Sequence, residues 1–156
     1  MMPTYLMDAS ALCKRDFVNE IGSDIVNDLF NETSGVRYLL NLSVVEVLNA
    51  FHRVHREGHL TKPELDALIA AFYNDIANGA LLIYSIRDEH IFKADPILWV
   101  LHIMSVSKKR PGPIDILVIA CAGDFNPVDL VLVSSDIDQN KLARLLSITT
   151  FDPENP

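Results

Sequence analysis

Thr4-Tyr5-Leu6-Met7-Asp8-Ala9-Ser10-Ala11-Leu12 opens the chain with a short apolar run that stops on an acid. A run of this length, ended by Asp-Ala-Ser, predicts a strand that turns straight into a helix. Its counterpart lies near the other end, in Leu130-Val131-Leu132-Val133-Ser134-Ser135-Asp136. Between the two, helical patterns alternate with short apolar runs. Ile21, Ile25, Val26, Leu29 and Phe30 recur at helical spacing opposite Glu20, Asp24 and Asp28. Arg37–Leu42 reads as a second strand, and Ser43 as the start of a helix through Val44, Val45, Leu48, Phe51 and Val54. Thr61-Lys62-Pro63-Glu64 has the pattern of a capping box for the next helix. Ala80–Ile86 reads as a buried strand, and Asp95-Pro96 as the cap and first position of a helix apolar enough to pack deeply. Asp115 precedes a short apolar helix, Ile116–Ala122, and Ile148–Phe151 is a last edge strand. Strands separated by helices predict an α/β fold with a mainly parallel sheet. No linker or repeat divides the chain, so one domain is expected over residues 1–151, followed by a polar tail over 152–156.

The composition narrows the function classes. In 156 residues, 21 acids stand against 13 bases, a net charge of −8. That balance argues against a basic nucleic-acid-coating protein, because phosphate contacts need Lys and Arg. It leaves room for an enzyme that meets phosphate through a metal. Cys13 and Cys121 are too few and too far apart for a disulfide framework or a zinc cluster, and both lie in apolar stretches. With no signal-peptide pattern and no long uncharged apolar segment, a cytoplasmic protein away from the membrane is expected.

The positions of the acids matter more than their number. In an open parallel sheet, ligands bind outside the carboxyl ends of the strands. Asp8 and Asp136 follow strands directly, while Glu46 and Asp115 sit at starts of helices that should begin on the same edge. Each has a structural alternative: Glu46 stands at capping-box spacing from Ser43, Asp115 fits an N-cap, and Asp136 or Asp138 fits the cap of the last helix. Asp8 gains least from such a role. Gathered on one rim, these carboxylates repel one another unless a cation sits among them, and hard divalent ions prefer oxygen ligands.

Four segments carry a family resemblance: Leu6-Met7-Asp8-Ala9-Ser10-Ala11-Leu12, Ser43-Val44-Val45-Glu46-Val47, Asp115-Ile116-Leu117-Val118-Ile119-Ala120 and Val131-Leu132-Val133-Ser134-Ser135-Asp136. In this order they resemble the four motifs of PIN domains, most nearly those of VapC-type toxins, over residues 4 to about 151. The resemblance implies a three-layer α/β/α domain and a Mg²⁺- or Mn²⁺-dependent ribonuclease, the toxin of a toxin–antitoxin pair. It further implies that Asp8, Glu46, Asp115 and Asp136 form the acidic site. Ser10 would be a polar helper, Asp138 an extra ligand in a variable loop, and a homodimer and an antitoxin the partners. The long acid-containing stretch Phe17–Gly35 departs from the pattern, as does Ser135 where many relatives carry a basic residue. A PIN fold kept as an RNA-binding or assembly module without cleavage is the alternative.

An RNA substrate needs cations. Lys108-Lys109-Arg110 is the dense basic run, readable as a helix end complementing the dipole or as a phosphate-steering patch. Lys14-Arg15 is a second candidate. His52, His55 and His59 read as polar-face residues near a helix end, and Trp99 and Tyr84 as core. Gly-rich phosphate loops are absent, and Ser10 occupies the place where a haloacid-dehalogenase pattern needs a second Asp.

Overall fold

The computed structural model describes residues 2–17, 20–32, 35–104 and 111–156. Among them run, in chain order, β1 (Thr4–Met7), α1 (Ala9–Asp16), α2 (Ser23–Asn31), β2 (Val36–Leu40), α3 (Asn41–Arg56) and α4 (Lys62–Ala77). There follow β3 (Leu82–Tyr84), α5 (Asp88–Met104), α6 (Pro113–Ala122), β4 (Leu130–Val133), α7 (Ile137–Leu145) and β5 (Thr150–Phe151). The strands form one sheet in the order β3-β2-β1-β4-β5, and every neighbouring pair is parallel. The fold is the α/β architecture expected, with the sheet parallel throughout.

Period-two alternation along the strands divides the core. Leu6, Leu40 and Leu132 enter a cluster with Ile97 of α5, Ile116 and Ile119 of α6, and Leu142 of α7. The adjacent residue of each strand, Met7, Leu39 and Val133, enters a second cluster with Leu12, Phe51, Leu65 and Phe72. Helices therefore cover both faces. In the centre, Met7 of β1 lies in register with Val133 of β4. The Asp8 N–H continues the ladder by donating to the Val133 carbonyl at 2.9 Å. This register delivers the first and last motifs side by side at the carboxyl edge of the sheet.

Several local expectations are corrected. Helix α3 starts at Asn41, ahead of Ser43, and the Asn41 Oδ1 accepts the Leu42 N–H at 2.9 Å. Ser43 is buried inside the helix and is not its cap. The aliphatic run 80–86 yields a strand of only three residues, β3, at the sheet edge, with Leu82 and Ile83 exposed. Asp95-Pro96 does not start a helix: α5 begins at Asp88, with Asp88 and Glu89 in its first turn, and Pro96 lies inside it. Acids in a first turn complement the helix dipole, and the residues up to Ala94 are all compatible with helix, so the start moves upstream despite the hydrogen bond that proline removes. Nor is α5 deeply packed. Ile97 and His90 are buried, whereas Phe92 is 78% and Trp99 62% exposed, the latter stacked on His102. Tyr84 does pack inward, against Tyr38 and Phe125.

The C-terminal residues seat on the turn between α1 and α2. Gly22 has φ +85°, and a Cβ there would fall 2.4 Å from the Pro153 carbonyl oxygen. Pro153 is buried, and Glu154 pairs with the buried Lys14 at 2.5 Å.

Candidate functional site

The three aspartates of the set, Asp8, Asp115 and Asp136, sit at helix starts, where local backbone chemistry holds them. Asp8 is the N-cap of α1, and its Oδ2 accepts the Ser10 N–H at 3.0 Å. Asp136 is the N-cap of α7, and its Oδ1 accepts the N–H groups of Asp138 and Gln139 at 2.8 Å each. Asp115 lies in the first turn of α6, where its Oδ2 accepts the Gly112 N–H at 2.6 Å. Glu46 stands within α3 and lines a cleft of about 310 Å³ between α1 and α3. Glu46 lies beyond the first turn of α3. Capping is therefore present for the three aspartates, with Asp115 bonding back to Gly112 rather than serving as the N-cap, and it occupies one oxygen of each. The second oxygens of Asp8 and Asp115 face a common partner. The Gln139 amide donates to Asp8 Oδ1 at 3.5 Å and to Asp115 Oδ1 at 3.3 Å.

The charges feel one another. Burial, then the fields of Asp8 and Asp115, pushes the Glu46 carboxyl up to about 7. Burial, then Asp8 and Asp136, pushes Asp115 up to about 6. Asp8 is buried, and burial raises it against the opposing pull of hydrogen bonds from Ser10 and Gln139. The structure thus brings the four acids to one rim. A self-repelling, all-oxygen set, buried at Asp8 and half-buried at the others, fits a hard divalent cation.

A pH dependence follows. An acid whose folded pKa is raised holds its proton in the folded state after the unfolded chain has released it, so stability falls as pH rises through that window. For Glu46 the window runs from 4.5 to about 7. The metal-free protein is expected to melt at progressively lower temperature across it, and Glu46→Gln to flatten that decline. Thermal melts in EDTA from pH 4.5 to 8 check this; equal pH slopes for the two proteins would refute it.

Ser10 does structural work. Its Oγ accepts the Ser135 N–H at 3.1 Å and lies 3.4 Å from the Ser134 Oγ, which itself accepts the Asp136 N–H at 3.0 Å. It thereby ties the loop after β1 to the loop after β4. Asp138 is half-buried in the first turn of α7, 3.9 Å from Lys141.

The proposed cations need correction. Lys14 is buried and pairs with Glu20 and Glu154, while Arg15 pairs with Asp75 and lies over the Phe30 ring. Neither is available to phosphate. Lys108, Lys109 and Arg110 lie outside the described residues. Arg53 was missed: it lines the same cleft as Glu46, with Asn49 between them at i+3 and i+7 spacing on one helix face. Gln139 was missed too, because three residues after Asp136 it fits the capping-box pattern and reads as a helix-end residue. Of the histidines, His55 bonds the Leu60 carbonyl through Nδ1 at 2.7 Å.

A second group of ligand-type atoms, from Glu89, His90 and Asp124, lies within 4.8 Å among the described residues. It is chemically saturated. The Arg87 N–H donates to His90 Nδ1, which leaves Nε2–H to donate to Asp124 at 2.5 Å. Tyr84, Arg87 and Lys93 also bind that carboxylate. Burial alone would raise Asp124, but the bonds from Tyr84, Lys93 and His90 hold it well below the usual carboxylate range. With Arg87 and Lys93 already on it, the group anchors α5 to the end of α6 rather than inviting a cation.

No protein-family model and no curated protein matches the sequence. Solved structures do match. VapBC from Salmonella typhimurium bound to DNA is 14% identical, with 97% of this chain and 99% of that chain covered and a TM-score of 0.64. VapBC2 from Rickettsia felis, bound to a promoter DNA fragment, is 11% identical over 96% and 98%, with a TM-score of 0.66. FitAcB from Neisseria gonorrhoeae is 14% identical over 97% and 99%, also at 0.66. The chain therefore has the fold of these VapBC and FitAcB structures.

Proposed function

We propose that this protein is a divalent-metal-dependent endoribonuclease, the toxin of a toxin–antitoxin pair. The observation that carries the reading is the convergence of Asp8, Glu46, Asp115 and Asp136 on one rim, from four separate helices, in a fold shared with VapBC structures. Asp8, Asp115 and Asp136 would hold Mg²⁺ or Mn²⁺ through oxygens free of capping duty, with Asp138 at the periphery. A divalent cation in such a site polarises water and offsets the charge that develops on a phosphodiester. Glu46, its carboxyl near neutrality and open to the cleft, is suited to orient the attacking water and take its proton. The scissile strand would reach it along the α1–α3 cleft, where Arg53 supplies a cation in place of Lys14 and Arg15.

The partners follow the same logic. An antitoxin is expected by analogy with the VapBC structures. A second copy of the chain would cover the exposed apolar stripe of α5, Phe92, Leu98, Trp99 and Ile103. No helix among the described residues is long and apolar enough to cross a membrane. The decisive experiment incubates the purified protein with labelled single-stranded RNA in Mg²⁺ and in EDTA. Cleavage in Mg²⁺, lost in EDTA and regained on adding metal, is expected. Binding without cleavage in either condition would instead establish the non-catalytic module.

A further inference from the structure

Gln139 is wholly buried, yet its amide is not arranged as a packing residue would be. Its Nε2 faces both Asp8 Oδ1 and Asp115 Oδ1. Its Oε1 is buried with no hydrogen-bond partner among the described residues. The amide cannot sit the other way round, since Oε1 would then meet two carboxylate oxygens. The side chain thus forgoes a bond to its own carbonyl in order to aim its donors at the acids, and burying a polar atom unpaired is unfavourable. The backbone of the same residue is held by the third aspartate, through the Gln139 N–H to Asp136 Oδ1 at 2.8 Å. One residue therefore touches Asp8, Asp115 and Asp136.

We propose that Gln139 is a positioning residue of the acidic site, its amide fixing Asp8 and Asp115 at one separation and orientation so that they receive a divalent cation together. This rests on the metal-centre reading above. The side-chain chemistry suits the task. A Lys here would neutralise the acids and compete with the metal, and a Glu would add to their repulsion. A neutral amide donates to both carboxylates and leaves their charge for the cation. Partners that orient ligating carboxylates typically contribute about 10–100-fold to metal affinity.

The test uses two variants close to glutamine in volume, with Mn²⁺ binding followed by calorimetry and thermal melts in EDTA. Gln139→Met removes the donors and is expected to weaken Mn²⁺ binding about tenfold or more, with an unchanged far-UV spectrum. Gln139→Glu adds a carboxylate and is expected to tighten Mn²⁺ binding while lowering the metal-free melting temperature. A purely structural role would shift both melting temperatures and leave both affinities alone. Parent-like Mn²⁺ affinity, within twofold, in both variants would overturn the proposal while leaving the metal centre standing. If Gln139→Met fails to fold, parent-like affinity in Gln139→Glu alone overturns it. Absence of Mn²⁺ binding by the parent itself would overturn the metal-centre reading and this proposal with it.

Discussion

Asp8→Asn should abolish Mg²⁺-dependent RNA cleavage and, at the same time, raise the melting temperature of the metal-free protein. Loss of a residue that merely orients a ligand costs about 10–100-fold, so loss of a ligand should exceed about 100-fold. The stability gain has a separate cause. Asp8 is buried at the end of a central strand, and burial raises its pKa above the ordinary carboxylate value. Above the ordinary carboxylate pKa the folded protein must either hold that charge out of water or bind a proton, and the unfolded chain does neither. Asn keeps the shape and still accepts the Ser10 N–H that caps α1. It gives up only the bond from Gln139 Nε2, which at 3.5 Å is a weak one. A gel assay of labelled RNA in Mg²⁺, with thermal melts in EDTA at pH 7.5, checks both halves. Cleavage at the parent rate would remove Asp8 from the site, and a lowered melting temperature would show that its role in the fold outweighs its buried charge.

Phe51→Ala should destabilise the protein by about 3–5 kcal/mol, the usual cost of truncating a fully buried Phe. Phe51 has no exposed surface and meets Phe17 and Phe72 edge-on, with ring centroids at 5.9 and 6.2 Å. It joins α3 to the end of α1 and to α4 on the sheet face that carries Met7 and Val133. Alanine leaves a cavity that the two aromatic neighbours, Phe17 and Phe72, cannot readily fill. Chemical denaturation should show a lower midpoint with an unchanged slope. The variant also separates fold from site: Phe51 lies more than one helical turn beyond Glu46 on α3. At a temperature where it remains folded, its Mn²⁺ affinity should stay within a few-fold of the parent. A destabilisation below about 1 kcal/mol would mean that the core relaxes around the gap.

The strand–helix alternation was legible because its signals are local. The apolar runs at Leu6-Met7 and Leu130–Val133 and the helical periodicity around Val26 and Phe51 need no distant partner to be read. Helix boundaries were less so. Asp95-Pro96 is a start signal only if nothing upstream can be helical, and the edge strand β3 is shorter than its aliphatic run because fewer neighbours bury it. Apolar composition also misled for α5, since a run of aliphatic residues says nothing of how many sides are covered.

The sequence by itself determined a parallel α/β chain whose acids fall at strand ends and helix starts, because parallel strands joined by helices send every such position to one edge. It could not decide which oxygens would be free. Capping takes one oxygen each from Asp8, Asp115 and Asp136, and only the packed structure turns free oxygens of Asp8 and Asp115 toward the Gln139 amide. Tertiary structure likewise withdrew Lys14 and Arg15 into ion pairs and set Arg53 in the cleft beside Glu46. The physical reason is the same in each case. Backbone position follows from local pattern, whereas the use of a charged atom depends on which opposite charge or donor the fold brings within 3 or 4 Å, and those partners come from distant parts of the chain.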